Sequence, residues 1–320
     1  MKVVVTGGAG FLGSALTRRL LSAMDDGSFA LPVDRIESLD LAASPVADHR
    51  VTSTVGDIAD RGLLEQVITK DAAIVFHLAA VLSGGSEEDF DLAHRVNITA
   101  TTELLEAARL VGTAPRFVFT SSVAVFGGLL PAVVAESHAP QPESTYGTMK
   151  AIGELLVNEY SRKGYVDGLT CRLPTISVRP GSPNSAVSSF ASGIVREPLN
   201  GKPSVCPVPH DTRLWLSSPD TVVDNLLHAA AVDADRLDGW RVVNLPGISV
   251  TVAEMLECLE RIGGTRARRL VVDEPDENVT RIVRSFPGAL AVDRALHAGF
   301  VQDGSFAEAV ERFRAHHVNP

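Results

Sequence analysis

Short apolar runs alternate with longer amphipathic stretches through the first half of the chain. The first run, Val3–Val5, has no polar alternation, which is typical of a strand buried on both faces of a sheet. Apolar residues then recur at helical spacing from Phe11 to Met24. This order repeats and predicts an α/β fold with a parallel sheet. Further strands are predicted at Ile36–Asp40, Val51–Val55, Ala72–Phe76, Phe117–Phe119 and Gly168–Arg172, helices at Glu87–Leu110 and Tyr146–Tyr160, and a loop within Ser22–Pro32.

The second half of the chain lacks this regular alternation. Seven prolines crowd residues 174–209, which is typical of binding loops rather than of a scaffold. Helical patterns return later, and one more apolar run is expected to rejoin the main sheet. We therefore predict a sheet domain, residues 1–172, and a smaller second region, residues 173–320. The helices are predicted at Asp220–Ala231, Val252–Ile262 and Ser305–His316, and the strand at Arg241–Leu245.

Charge and cysteine content narrow the function classes. The 320 residues carry 29 basic and 39 acidic side chains, a net charge of -10, which argues against nucleic acids and anionic membranes as partners. Cys171, Cys206 and Cys258 form no CxxC pair, so we predict neither a disulfide framework nor a metal site and expect a cytosolic protein. The apolar start is too short for a signal peptide. Residues 117–135 lack charges, but their Ser, Gly and Pro predict a strand and a loop rather than a membrane span.

A glycine-rich segment follows the first strand and begins the first helix. Its sequence from Thr6 to Gly13 is Thr-Gly-Gly-Ala-Gly-Phe-Leu-Gly. Glycines permit a tight turn and a close approach of the backbone to a pyrophosphate, and the helix N-terminus offers free N–H groups. The position between a strand and a helix predicts a dinucleotide-binding turn.

Two carboxylates follow the next strands. Asp40 ends the second strand, where it can bind the ribose hydroxyls of the adenosine and repel a 2′-phosphate. The next residues, Leu41 to Ala43, supply no cation for that phosphate, which favours NAD over NADP. Asp57 follows the third strand, and two interpretations stay open: contact with the adenine amino group, or capping of the following helix.

The main catalytic candidate is a tyrosine one helical turn from a lysine. The four-residue spacing places Tyr146 and Lys150 on one helix face. A nearby ammonium favours the phenolate of a tyrosine, which can then accept the proton of a substrate hydroxyl. Ser121 and Ser122 end the fifth strand, at the edge of the sheet where ligands bind. We predict that Ser122 hydrogen-bonds the reacting oxygen.

These motifs together resemble an extended short-chain dehydrogenase/reductase of the NAD-dependent epimerase/dehydratase group. The resemblance covers nearly the whole chain and implies a Rossmann-type doubly wound parallel sheet, bound NAD and a homodimer through the long helices of the fourth and fifth βα units. His77 has no partner that suggests a metal ligand, and we expect it to pack at the strand end. The resemblance and the motifs assign to the cofactor Gly7, Gly10, Phe11, Leu12, Gly13, Asp40, Asp57, Ile58, Leu78, Ala79, Ala80, Asn97, Ser121, Tyr146, Lys150 and Pro174.

Departures from the family pattern point to a small substrate. Nucleotide-sugar members carry an Asn and a Tyr-Gly-Pro after the sixth strand, where this chain has Thr175 and no such tripeptide. The loop Arg179–Asn184 instead resembles the branch that oxidises the C2 hydroxyl of D-erythronate to the 2-oxo acid with NAD. A carboxylate suits a bidentate arginine, and Arg179 and Arg213 are the candidates. Ser83 is a further candidate for substrate contact.

Three hypotheses about function follow from the sequence. The first is an NAD-dependent dehydrogenase of a small sugar acid, with Ser122, Tyr146 and Lys150 as catalytic residues. The second is a nucleotide-sugar epimerase or dehydratase that uses bound NAD without net NADH. The third is an NAD-binding regulatory protein without catalysis, which the intact Ser, Tyr and Lys argue against.

Overall fold

A seven-stranded parallel sheet forms the centre of the computed structural model, which describes residues 1–182, 184–237 and 239–318. Pro183, part of the loop that suggested the substrate, lies outside the described residues. The strands of the protein are β1 Lys2–Thr6, β2 Arg35–Asp40, β3 Val51–Val55, β4 Ala72–His77, β5 Arg116–Ser122, β6 Asp167–Leu173, β7 Thr175–Ile176, β8 Ser204–Cys206, β9 Arg213–Ser217, β10 Val242–Asn244, β11 Ile248–Thr251 and β12 Val271–Asp273.

The helices cover both faces of the sheet or build the second region. They are α1 Phe11–Asp25, α2 Arg61–Val67, α3 Ser83–Glu88, α4 Phe90–His94, α5 Ala100–Val111, α6 Thr145–Arg162, α7 Phe190–Leu199, α8 Pro219–Ala231, α9 Val252–Arg268, α10 Glu277–Arg284, α11 Asp293–His297 and α12 Phe306–His317. A π-helical turn, Arg95–Thr99, joins α4 to α5.

The order of strands in the central sheet is β10-β6-β5-β4-β1-β2-β3, and all neighbours are parallel. Every residue of β1 is buried, as its unbroken apolar run predicted. The α/β fold is thereby confirmed. The order in which strands are added reverses at β1: β2 and β3 lie on one side of it, and β4, β5 and β6 lie on the other. A crevice therefore opens between the carboxyl ends of β1 and β4, where open α/β sheets bind ligands.

One predicted helix of the first half was wrong in its limits. The stretch Glu87–Leu110 is not one helix, because the backbone at Asp89 is extended and its side chain accepts a hydrogen bond from the Leu92 N–H, starting a new helix. The error concerns a helix end, which side-chain capping decides locally. The loop expected within Ser22–Pro32 is present, since α1 ends at Asp25 and β2 begins at Arg35.

The second region packs its own small core beside the central sheet. It contains a three-stranded sheet, β11-β9-β7, and a parallel pair, β12-β8. Helices α7, α9 and α12 contribute buried residues such as Val195, Leu259 and Val310 to this core. The chain then returns to the central sheet, because β10 pairs in parallel with β6.

The three cysteines and the uncharged stretch are part of the folded core and its loops. Cys171, Cys206 and Cys258 are buried free thiols. Residues 117–135, the uncharged stretch, form the end of β5, a short turn and a loop. No helix in the described part of the chain has the length and apolar character needed to cross a membrane.

Candidate active site

A cavity of about 510 Å³ lies at the carboxyl ends of the central strands and is walled by both halves of the chain. It contains eighteen of the twenty residues that the sequence assigned to the site, and the two exceptions are Asn97 and Arg213. Those that line it are Gly7, Gly10, Phe11, Leu12, Gly13, Asp40, Asp57, Ile58, Leu78, Ala79, Ala80, Ser83, Ser121, Ser122, Tyr146, Lys150, Pro174 and Arg179.

The glycine-rich turn fits the backbone closely against its neighbours. Gly7 has a positive φ of 71°, and a Cβ there would lie 2.8 Å from the Ala79 nitrogen. A Cβ on Gly13 would clash with the Gly7 carbonyl oxygen and lie 2.6 Å from the Gly8 Cα. Among the described residues, no side chain caps α1 at Gly10, so its first N–H groups face the cavity as an anion site.

Asp40 is fixed at the end of β2 by backbone donors. One carboxylate oxygen accepts from the Ala9 N–H at 3.0 Å, and the other from the Ala42 N–H at 3.4 Å. These contacts tie the carboxylate to the glycine-rich turn itself. The remaining lone pairs of Asp40 are available to hydroxyl donors, as expected for a ribose-binding residue.

Asp57 forms a turn and an ion pair rather than a helix cap. Its Oδ1 accepts from the Ala59 N–H at 2.9 Å, and its Oδ2 pairs with Arg95. The hydrogen bond from Ala59, followed by that from Arg95, lowers the pKa of Asp57. The cap of α2 is Asp60, which accepts from the Leu63 N–H, so the capping interpretation of Asp57 was wrong.

The predicted catalytic residues meet where β5 ends and α6 begins. Ser144 caps α6, and Tyr146 lies in the first turn of that helix, where the nearby Ser122 acts to lower the pKa of its phenol. The Ser122 Oγ also accepts from the Ala124 N–H at 3.1 Å, which fixes its rotamer. Lys150 Nζ lies 5.7 Å from the centre of the Tyr146 ring and donates to the Thr120 carbonyl at 2.7 Å.

Burial has the largest effect on the pKa values of Tyr146 and Lys150. It raises the pKa of Tyr146 to about 12, against a smaller lowering by the nearby Ser122. It lowers the pKa of Lys150 to about 7, while Glu154 opposes the shift. The sequence had led us to expect a tyrosine pKa lowered by the lysine. The structure differs because desolvation of the phenolate outweighs the attraction of an ammonium several ångströms away.

A buried ion pair behind the site was missed by the sequence analysis. Glu154 and Arg172 form two hydrogen bonds, at 2.8 and 2.9 Å, and their side chains are only 3% and 1% exposed. The Ser121 hydroxyl donates at 2.5 Å to Glu154 Oε1, the oxygen that also accepts from Arg172 Nε. Glu154 lies four residues after Lys150 on α6, and this helical spacing was the signal that could have revealed it.

His77 links the strand ends through a directed chain of hydrogen bonds. The Thr101 hydroxyl donates to the Asn97 carbonyl, so it must accept from His77 Nε2 at 2.8 Å. Nδ1 is then the acceptor for the Thr6 hydroxyl, also at 2.8 Å. Burial lowers the pKa of His77 to about 3, so the ring is neutral. The packed histidine expected from the sequence is what the structure contains.

Asn97 supports the cavity from behind instead of lining it. Its amide accepts from the Val81 N–H at 2.9 Å and donates to the Val81 carbonyl at 3.0 Å. A weaker contact of 3.8 Å joins it to the sulfur of Met149, the neighbour of Lys150. The assignment of Asn97 to the cofactor is therefore corrected, since both ends of its amide are used to hold the loop after β4.

Ser83 joins that same loop to the second region. Its Oγ accepts from the Val187 N–H at 3.0 Å, and the neighbouring Gly84 N–H donates to the Ser185 carbonyl at 2.8 Å. A Cβ on Gly84 would clash with that carbonyl, so glycine permits the close crossing. Ser83 thus lines the cavity and also fixes its far wall.

The two candidate arginines lie in different places. Arg179 lines the cavity, with its guanidinium 5.8 Å from the centre of the Phe11 ring and one hydrogen bond to the Ser182 carbonyl at 3.3 Å. Arg213 is exposed and donates to Ser249 at 3.3 Å. Arg213 begins β9, about 10 Å along the strand from Leu216, which pairs with Thr175 of the cavity wall, and Arg213 is not among the residues that line the cavity.

Further residues of the second region line the cavity together with Arg179. The sequence analysis assigned none of them to the site, although it singled out the loop that ends at Asn184, because short polar residues in a loop are also typical of a solvated surface. Phe286, from beyond α10, adds an apolar wall. The residues concerned are Asn184, Ser188, Ser189, Ser192 and Phe286.

The chain is similar to known proteins over nearly its whole length. Residues 3–238 match the NAD dependent epimerase/dehydratase family. The chain is 49% identical to D-erythronate dehydrogenase of Cupriavidus necator and 44% identical to that of Haemophilus influenzae, over 98% of each chain. Its fold is similar to a nucleoside-diphosphate-sugar epimerase from Agrobacterium tumefaciens, with a TM-score of 0.92, 38% identity, and 99% and 94% of the two chains covered. The protein therefore belongs to the NAD-dependent epimerase/dehydratase family.

Proposed function

We propose that the protein is an NAD-dependent dehydrogenase that oxidises the C2 hydroxyl of D-erythronate, or a close four-carbon relative, to the 2-oxo acid. The observation that carries the proposal is a single cavity that joins Asp40 and the glycine-rich turn to Ser122, Tyr146 and Arg179. The full-length similarity to two D-erythronate dehydrogenases supports the choice of substrate.

The donors and acceptors along the cavity fit a nicotinamide dinucleotide. The uncapped start of α1 offers N–H groups to a pyrophosphate, and the Asp40 carboxylate offers acceptors to a ribose. The same carboxylate would repel a 2′-phosphate, which favours NAD over NADP. When bound, the nicotinamide would accept the hydride that leaves C2 of the substrate.

The residues of the chain then account for the proton and for orientation. Ser122 donates a hydrogen bond to the substrate oxygen, and Tyr146, which lines the cavity beside Ser122, takes the hydroxyl proton. Lys150, in its charged form, favours the phenolate that accepts this proton. Its Nζ is held in place by the Thr120 carbonyl at 2.7 Å. The tyrosine pKa of about 12 means that proton acceptance becomes easier as the pH rises.

Arg179 is the residue that would bind the substrate carboxylate. Its guanidinium lies in the cavity wall, and its pKa is lowered by burial and by the neighbouring Arg196. A carboxylate placed there would offset both effects, because it supplies the opposite charge in a partly dry site. The hydroxyl groups of Ser188 and Ser189 suit the remaining hydroxyls of a small sugar acid.

We also propose a homodimer through α5 and α6. Leu110 on α5 is 56% exposed, and Ile152 and Leu155 on α6 are 40% and 63% exposed. Apolar side chains that stand on neighbouring helices favour association. Sedimentation equilibrium would give twice the chain mass for the wild type, and a Leu155→Glu variant would sediment as a monomer. A monomeric wild type would contradict the dimer and leave the proposed activity unaffected.

The proposed activity is tested by NADH absorbance. The purified protein is incubated with NAD and D-erythronate, L-erythronate, D-threonate or L-threonate, with Tyr146→Phe as the control. We expect NADH only with the wild type and with the fastest rate on D-erythronate. No NADH from any acid would contradict the proposal. Conversion of a nucleotide sugar without net NADH, together with UDP binding by calorimetry, would instead identify an epimerase.

A further inference from the structure

Three side chains with metal-binding atoms meet in the second region, away from the cavity. They are Cys206 at the end of β8, His210 in the following loop and Asp273 at the end of β12. One ligand atom from each lies within 4.8 Å of the other two. His210 Nε2 and Asp273 Oδ1 are 2.8 Å apart. None of the three is among the residues that line the proposed active site.

The backbone holds these side chains in register. Parallel pairing of β8 and β12 sets Asp273 directly beside Cys206, and the Glu274 N–H donates to the Cys206 carbonyl at 3.1 Å. The His210 carbonyl accepts from the Ala253 N–H at 2.9 Å, which ties the loop to the start of α9. The positions of all three ligands are therefore fixed by regular structure or by backbone hydrogen bonds rather than by free loops.

The loop between Cys206 and His210 is itself rigid. It contains Pro207 and Pro209, whose rings fix φ, and the carbonyl of each accepts a backbone hydrogen bond, from Asp276 at 2.9 Å and from Thr212 at 3.0 Å. A loop of this kind loses little conformational entropy when a ligand binds. The spacing of four residues and the distant Asp273 also explain why no familiar metal motif was visible in the sequence.

We propose that Cys206, His210 and Asp273 form a binding site for a transition metal ion, with Zn²⁺ as the best chemical match. A thiolate, an imidazole and a carboxylate are the three ligand types that zinc accepts, and a water completes a tetrahedron. The two anionic ligands balance the charge of a divalent ion. The oxygen-preferring Mg²⁺ and Ca²⁺ do not suit a site that includes a thiolate.

Binding would replace existing interactions of the three side chains. The Cys206 thiol donates to the Val208 carbonyl at 3.4 Å and would release its proton to solvent when it ligates the metal. The ion pair of His210 and Asp273 would be exchanged for two bonds to the ion. Because the ligands come from β8, the following loop and β12, the metal would cross-link these three segments and would stabilise the folded state.

The experiment uses Co²⁺ and Zn²⁺ with the full-length protein. Cobalt bound by a thiolate gives a charge-transfer band in the near ultraviolet, which reports the cysteine directly and does not depend on activity. We expect the band in the wild type, its displacement by Zn²⁺, and a rise in the unfolding temperature with Zn²⁺. Cys206→Ser should abolish the band, whereas Cys258→Ser, the loss of another buried thiol of the same core, should leave it intact.

His210→Ala guards against a variant that fails to fold, since His210 is 37% exposed. It should lower the cobalt affinity by about 100-fold or more, because a ligand is lost rather than an outer partner. Absence of the band in the wild type, or a band that survives Cys206→Ser, would overturn the site. An affinity unchanged in both His210→Ala and Asp273→Asn would overturn it as well.

Discussion

The two ends of the cavity are built in different ways. At the cofactor end, the wall includes the glycine-rich turn, the start of α1 and the loop after β4, and its Gly7 and Gly13 leave no room for a Cβ. At the substrate end, the wall includes residues of β7 and α7, the polar residues near Arg179, and Phe286. Closely packed glycines tolerate no added atoms, whereas exposed side chains of a cavity wall can be exchanged singly. The difference explains how relatives that share a cofactor fold can act on different substrates.

The reacting centre lies between the two ends, and its loss should have the largest effect. Tyr146→Phe removes the proton acceptor but keeps the ring, so kcat should fall by about 10²- to 10⁴-fold. NAD affinity, measured by calorimetry, should stay within about twofold. In the wild type, kcat/KM for oxidation should rise as the pH approaches 7, since the phenolate of Tyr146 is the active form. It should level off above pH 7, because Lys150, with a pKa of about 7, loses the charge that favours the phenolate. A variant that keeps its rate would exclude Tyr146 as the acceptor.

The buried pair behind the centre tests how much an uncompensated buried charge lowers the stability of the fold. Glu154→Gln leaves Arg172 charged and uncompensated, which should lower the free energy of unfolding by about 3–5 kcal/mol. Urea denaturation measures the loss. The double variant Glu154→Met with Arg172→Met removes both charges and should recover a large part of it. Equal instability of the single and double variants would show that the ion pair itself, rather than an orphaned charge, supports the fold.

At the cofactor end, one added carbon should be enough to impair binding. Gly13→Ala places a Cβ against the Gly7 carbonyl and the Gly8 Cα, so the turn must shift at a cost of about 3 kcal/mol. NAD affinity should fall roughly 100-fold by calorimetry. The matched control is Gly193→Ala in α7, where the nearest atom would be 3.4 Å away. If both variants bind NAD equally well, the backbone does not form the cofactor wall.

At the substrate end, a single side chain should control the Michaelis constant. Arg179→Ala removes the charge proposed for the carboxylate and should raise KM for the acid about 30-fold, or about 2 kcal/mol, with little change in NAD affinity. Arg213→Ala is the control, since Arg213 is exposed and outside the cavity. A larger rise in KM for Arg213→Ala than for Arg179→Ala would show that the substrate carboxylate binds near β9 instead.

The cofactor end was largely predictable from the sequence, whereas the substrate end was not. Strands β1, β4 and β5 contain uninterrupted apolar runs, because both faces of a parallel sheet are covered there. The carboxyl ends of β1, β2 and β5 fix where Gly7, Asp40 and Ser122 must lie. Arg213 was a candidate because its side chain suits a carboxylate, and residue type alone does not show whether a side chain lines a cavity. Among the residues near Arg179, Phe286 comes from a distant segment, and only folding brings it to the cavity.

The sequence also could not predict properties that depend on burial, namely the direction of a pKa shift and the pairing of buried charges. The spacing of Tyr146 and Lys150 predicted that they lie close together, but the direction of the shift in the tyrosine pKa depends on burial, which a sequence motif does not show. The same holds for Glu154 and Arg172, since each charge is tolerable only because the other is within hydrogen-bonding distance. Pairing across elements is a property of the folded core.

The hydrogen-bond chain through His77 has a consequence for acid tolerance. With a pKa of about 3, the folded protein keeps this ring neutral, while the unfolded chain takes up a proton below about 6.5. The free energy of unfolding must therefore fall as the pH drops from 6.5 toward 3, by up to about 1.4 kcal/mol per pH unit. Urea denaturation at pH 7 and pH 5 should show this slope, reduced in His77→Gln. The residue that fixes the strand ends thus also sets how acidic a solution the sheet can withstand.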